Sequence, residues 1–117
     1  MLFRSVLLMW IFTPTGFISA VYKDGALQVR ARDEESLISL AIFTGNEIIK
    51  TPFADYPYRL ITDNQTFAKW TSEQIANLNY SNFKSEIAAT RGYNFAKPLN
   101  KVWSVMHDVE DLDARSK

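Results

Sequence analysis

Phe17 to Ser36 reads FISAVYKDGALQVRARDEES, and its centre decides the fold. Asp24-Gly25 is the dipeptide that most easily supplies two consecutive positive φ angles, as the tight two-residue hairpin turn requires. Half-apolar runs flank it on both sides, so the stretch reads as two antiparallel strands. In the second run Leu27, Val29 and Ala31 point one way, and Gln28, Arg30 and Arg32 point the other. One side of the sheet is therefore oily and belongs to the core, while the other is basic and available for binding. Immediately afterwards Asp33, Glu34 and Glu35 form a helix start, with Asp33 placed to cap and the two glutamates suited to the helix dipole.

Working outward, Trp10-Ile11-Phe12 reads as a further strand that reaches the hairpin through a turn at Thr13-Pro14-Thr15-Gly16. This reading competes with a secretory leader, because Met1 to Ala20 holds one cation, an apolar run and a small residue at its end. Thr13, Pro14, Thr15 and Gly16 interrupt that run, which favours a retained, structured segment. Met9 then serves as the start, and residues 1–8 as a mobile or spurious extension.

Beyond Ser36, Leu37, Leu40 and Ala41 recur at helical spacing up to Gly45, a natural helix stop. Ile48 to Thr62 returns to strand. Pro52 and Pro57 lack the ladder donor and mark an edge or an irregular lead-in, leaving Tyr58 to Thr62 as the regular part. Thr62 or Asp63 caps a helix over residues 64–78, with Phe67, Trp70, Ile75 and Leu78 along one stripe and Thr71 its polar member. Ser81 caps the next helix, which carries Phe83, Ile87 and Ala88 and ends at Arg91-Gly92. Asn94 caps a third, with Pro98 in its first turn and Leu99, Val102, Trp103 and Met106 forming its stripe. Residues 108–117 are polar and acidic and read as a fraying tail.

The element order predicts a single α+β domain: a small antiparallel sheet of three to four strands with helices packed on one face. The order resembles a truncated or permuted ferredoxin-like arrangement. A chain of 117 residues with 47% apolar residues and eight Phe, five Tyr and three Trp is long and oily enough for one core. Thirteen basic residues balance thirteen acidic ones, which removes the whole-molecule attraction to polyphosphate that nucleic-acid binders often carry. The absence of cysteine removes disulfides, thiolate nucleophiles and cysteine metal sites, and leans towards the cytoplasm.

Catalytic patterns are missing. His107 is the only histidine and sits beside Asp108, where a helix-terminal role suits its charge. No nucleophile elbow, phosphate-cradling glycine loop or zinc-type histidine pair occurs. The acids Glu34/Glu35 and those following residue 107 are explained by helix starts and a solvated tail. No catalytic residue, metal site or cofactor is expected.

The stronger candidate is basic. Arg30 and Arg32 share a strand face, Arg59 joins them if its strand lies in the same sheet, and Asp55 falls on that side and can pair with one arginine. Guanidinium groups so placed grip phosphate or carboxylate bidentately. Lys84 completes one polar site if it lies alongside. Tyr22, Tyr56 and Tyr58 are the aromatics that could add base stacking, but by alternation Tyr56 and Tyr58 face away from the arginines unless Pro57 marks a bulge. Lys84, Arg91, Lys97 and Lys101 also read as the wet side of the last helices.

Several short pieces support a resemblance: Trp10-x-Phe12-Thr13, Gly16-Phe17-x-Ser19, Arg30-Ala31-Arg32, Asp55-Tyr56-x-Tyr58-Arg59, Tyr80-x-Asn82-Phe83-Lys84 and Val102-Trp103-x-x-Met106. On these the chain, over roughly residues 9–107, resembles a group of short uncharacterised bacterial and phage-type proteins. The resemblance implies a start at Met9 and a cytoplasmic protein. It implies no activity, cofactor or site residue.

The expectation is a small non-enzymatic cytoplasmic binding protein. It engages a protein partner, with nucleic acid as the lesser option and no membrane, and a phage-derived inhibitor of a host machine is one form it could take. The alternative is an enzyme that binds a small molecule or phosphate ester through Arg30, Arg32, Asp55, Arg59 and Lys84 in a pocket. A free sheet edge and three tryptophans also make a homodimer an expectation.

Overall fold

A computed structural model describes residues 8–116. The chain falls into two compact units, one ending at Asn79 and the other beginning at Tyr80. The α+β reading holds, with a five-stranded antiparallel sheet in the first unit and helices in both.

In the first unit β1 (Leu8–Thr13), β2 (Gly16–Lys23) and β3 (Ala26–Ala31) form a meander. The helix α1 (Glu35–Thr44) follows, then the short strand β4 (Ile49–Lys50), β5 (Tyr58–Thr62) and the helix α2 (Asn64–Ala76). The sheet order is β1-β2-β3-β5-β4, so β5 returns beside β3 and leaves the two-residue β4 at the edge. β4 is the strand that raises the count above the three to four expected. The leader-like segment from Leu8 onward is sheet, with Leu8 paired to Val21. The proposed extension lies outside the described residues except for Leu8, which is already strand.

The hairpin forms where the sequence places it. Lys23 pairs with Ala26, and the turn residues Asp24 (φ 55°) and Gly25 (φ 78°) both take the left-handed conformation that a two-residue turn demands. Register carries the alternation across the sheet: Val29 pairs with Ala20 and Leu60, and Leu27 with Thr62. Leu27, Val29 and Ala31 are buried with Ile18, Ala20 and Leu60 beneath Leu37 and Leu40 of α1 and Phe67 and Trp70 of α2. Two helices thus cover one face of the sheet. Trp70 stacks on Phe67 and donates its indole N–H to the Ser39 hydroxyl (3.2 Å), which settles the one polar atom it brings into the core.

Cap geometry bears out some local expectations and corrects others. The α1 helix stops at Gly45, whose left-handed conformation (φ 73°) lets its N–H reach the Ala41 carbonyl. At its start Asp33 accepts from the Ser36 hydroxyl (2.6 Å), while Glu34 occupies the cap position without a side-chain bond. Asp63 caps α2, accepting from both the N–H and the hydroxyl of Thr66. These bonds to its charged form hold the Asp63 carboxyl below its ordinary value. Its apolar stripe stops early: α2 ends at Ala76, Leu78 lies beyond it, and Ile75 and Leu78 are exposed.

The second unit contains α3 (Phe83–Arg91), α4 (Tyr93–Met106) and α5 (Asp108–Ser116). Asn82, rather than Ser81, caps α3, because its side-chain amide oxygen Oδ1 accepts from the Ser85 N–H three residues on. The α4 helix begins after Gly92, so Asn94 is inside it and Pro98 lies in the second turn instead of the first. Ile87 and Ala96 are the fully buried members of this unit, whereas Val102, Trp103 and Met106 of the expected stripe are exposed. The acidic stretch after His107 runs as helix rather than as an irregular tail.

Candidate functional site: an arginine row around Tyr56

The face of the sheet opposite α1 carries Trp10 and Phe12 from β1, Phe17, Ser19 and Val21 from β2, Gln28 and Arg30 from β3, and Arg59 and Ile61 from β5. Register puts Arg30 directly opposite Arg59, with Ser19 on the other side of Arg30. Like charges facing each other across a ladder repel. Neutral oxygens reduce the cost: Arg30 donates to the Ser19 hydroxyl (2.8 Å) and Arg59 to the Gln28 amide oxygen (2.8 Å).

Arg32 continues the row just past the end of β3 and donates to the backbone carbonyl of Asp55 (2.7 Å). The ion pair expected between an arginine and the Asp55 carboxylate is thus replaced by a bond to its peptide oxygen. Asp55 still acts on Arg30 through its field, which favours the charged guanidinium.

Tyr56 overturns the parity argument. Residues 51–57 form a loop between β4 and β5 rather than strand, so strand alternation does not govern them. Tyr56 is buried, and its ring is in contact with two cations: the guanidinium carbon of Arg30 is 4.5 Å from the centroid and that of Arg32 is 4.3 Å. Each such contact is worth about 0.5–1 kcal/mol at an exposed site and about 2 kcal/mol when desolvated. Tyr58 is back in the strand and obeys alternation, packing against the core on the other face.

Burial is the largest influence on Arg30 and holds its pKa below the ordinary arginine value, with Arg59 and Arg32 pushing the same way. The group remains cationic at every physiological pH. Its Nε is buried with no hydrogen-bond partner among the described residues, which carries a desolvation cost.

The loop itself is braced from inside. The Thr51 hydroxyl donates to the Tyr56 carbonyl (2.6 Å), the Thr51 N–H to the Pro57 carbonyl (2.7 Å) and the Ala54 N–H to the Thr51 carbonyl (3.0 Å). With the bond from Arg32 to Asp55, the loop is held to the arginine row, and Phe53 stands on it fully exposed. Sequence reasoning missed Ser19, Gln28 and Phe53 as members of this surface. Phe53 has a legible signal in retrospect, an aromatic between Pro52 and Pro57 where no core pattern claims it.

Lys84 belongs to the second unit, where its ammonium lies over the Trp103 ring (4.2 Å). Arg91 over Phe95 (3.6 Å) and Lys97 over Tyr93 (5.8 Å) repeat that arrangement. Three members of the basic series of these helices, Lys84, Arg91 and Lys97, are therefore engaged by aromatics of the same unit. His107 ends α4 as the sequence suggests, edge-on to Trp103 and 3.2 Å from a Glu110 carboxylate oxygen.

Among the described residues no group of three or more His, Asp or Glu side chains is arranged to hold a metal ion, and no helix is long and apolar enough to cross a membrane. Compared with known protein families, curated proteins and solved structures, the chain matches none.

Proposed function

We propose that this chain is a small non-enzymatic binding protein of the cytoplasm, which engages an acidic protein partner through Arg30, Arg32 and Arg59 with Phe53 as an apolar anchor. The observation that carries the reading is the composition of the arginine row. Three guanidinium groups are gathered around one tyrosine, and the acceptors within the chain are a hydroxyl, an amide and a carbonyl, all neutral. The positive charge is left available for carboxylates supplied from outside.

Protein is favoured over nucleic acid for two reasons. The chain carries no net charge, so it lacks the long-range pull towards polyphosphate. The tyrosine among the arginines is buried and already engaged by two cations, so its ring is not free to stack on a base. A hydrogen-bonded loop that presents one solvent-exposed aromatic beside arginines matches the residue types that dominate binding energy at protein interfaces.

The test is affinity capture from the native host with wild type, Arg32→Ala and Phe53→Ala. Both substituted side chains are exposed, so the variants fold. One protein partner retained by wild type and lost by both variants supports the reading. An unchanged partner list, or a bound fraction that is nucleic acid released by nuclease, overturns it.

A further inference from the structure

The two edges of the sheet are built in opposite ways. β4 is two residues long, carries Lys50 and runs into Pro52, each a feature that discourages a neighbouring strand from adding on. β1 has the opposite character. It is six residues long, LMWIFT, with no charge and no proline, and Leu8, Met9 and Trp10 are 46%, 60% and 59% exposed. Among the described residues no strand pairs with its outer side, where every other residue presents an N–H and C=O.

We propose that β1 is a homodimerisation edge, pairing antiparallel with β1 of a second copy to join two five-stranded sheets into one. Charge argues for a second copy as the occupant. The strand has no ionic group to oppose its own image, and a chain with zero net charge has no overall repulsion between copies. The contact is isologous and closes on itself.

Alternation restricts the register. A two-fold axis perpendicular to the sheet leaves each face on its own side, so residues opposite one another must both be odd or both be even. The axis therefore passes through Trp10, setting Leu8 against Phe12 and Met9 against Ile11 of the partner strand, or through Ile11, setting Trp10 against Phe12. Either choice opposes apolar side chains only, apart from Met9 with Thr13 in the second. Trp10 already meets Phe17 edge to face (5.6 Å), and Phe12 stacks on Phe17 (4.8 Å), so the joined edge extends an existing aromatic cluster. Both arginine rows then lie on the same side of the combined sheet.

Sedimentation velocity across a concentration series tests this with wild type, Trp10→Lys, Met9→Lys and, as a control, Ile42→Lys on α1, where the replaced side chain is 78% exposed. The wild type and the control dimerise equally. Both β1 variants place a cation in the seam and weaken the dimer by at least about tenfold. Met9→Lys keeps the test open if Trp10→Lys fails to fold, because the two side chains lie on opposite faces. A wild type that stays monomeric at the highest concentration overturns the proposal. So does a dimer indifferent to both β1 substitutions, or one lost equally in the control.

Discussion

Tyr56 is the residue on which the candidate site turns. Its ring contacts two like-charged guanidinium groups, and it does so from a loop position that the pleat does not control. Replacing it with leucine keeps an apolar body in the gap but removes the ring's negative faces. Tyr56→Leu is expected to destabilise the protein by about 1–3 kcal/mol from the loss of two cation–π contacts, measured by urea unfolding. Arg32→Ala, which removes one exposed partner of the ring, costs less. The sequence makes Arg30 and Arg32 readable as neighbours, because strand alternation is a property of the backbone. It hides Tyr56, because two prolines take residues 51–57 out of the ladder and the rule that predicts facing no longer applies.

Elements follow their turn and cap chemistry closely. The β2–β3 hairpin depends on two adjacent left-handed residues, and at Gly25 a Cβ would meet no neighbouring atom within 4 Å. The cost of a side chain there is conformational alone. Gly25→Val should lose about 1–3 kcal/mol, since a β-branched residue resists φ of 78°, while Gly25→Asn should lose much less; thermal unfolding distinguishes the two.

At the start of α2 the Asp63 carboxyl is bonded to Thr66 in its charged form, which lowers its pKa from 3.8. A carboxyl lowered in the folded state stabilises above its unfolded pKa and loses that contribution as the pH falls through the folded one. Asp63→Ala is therefore expected to melt lower than wild type at neutral pH, and the gap should close in strongly acidic solution. A gap unchanged between pH 7 and pH 2 would count against the cap. The α3 and α4 helices show where such reading fails. Ser81 and Asn82 are both good caps, and only backbone conformation decides between them, while Pro98 is accommodated one turn deeper than its missing N–H would suggest.

At the scale of the molecule, charge is sorted without changing the total. A neutral chain keeps a row of three arginines on one sheet face and gathers acids in α5. Association through exposed arginines is screened by salt, so retention of the captured partner should fall steadily as ionic strength rises. Retention independent of salt would instead direct attention to the exposed apolar residues of α4 and α5, among them Val105, Met106 and Leu112. Core placement was legible for the sheet, where alternation leaves two choices of face and the oily one goes inside. It was less legible for α4, where a helical stripe of apolar residues states a preference for burial without saying whether anything covers it.

The contact of Arg30 and Arg32 with the Tyr56 ring underlies the proposed binding surface, and NMR of the arginine side chains tests it without any partner. Ring-current shifts should displace the side-chain signals of both arginines in the wild type and vanish in Tyr56→Leu, with cross-strand proximity between the backbones of Arg30 and Arg59 preserved. Unshifted arginine signals in the wild type, or a Tyr56 ring close to Leu37 and Leu40 instead, would contradict it.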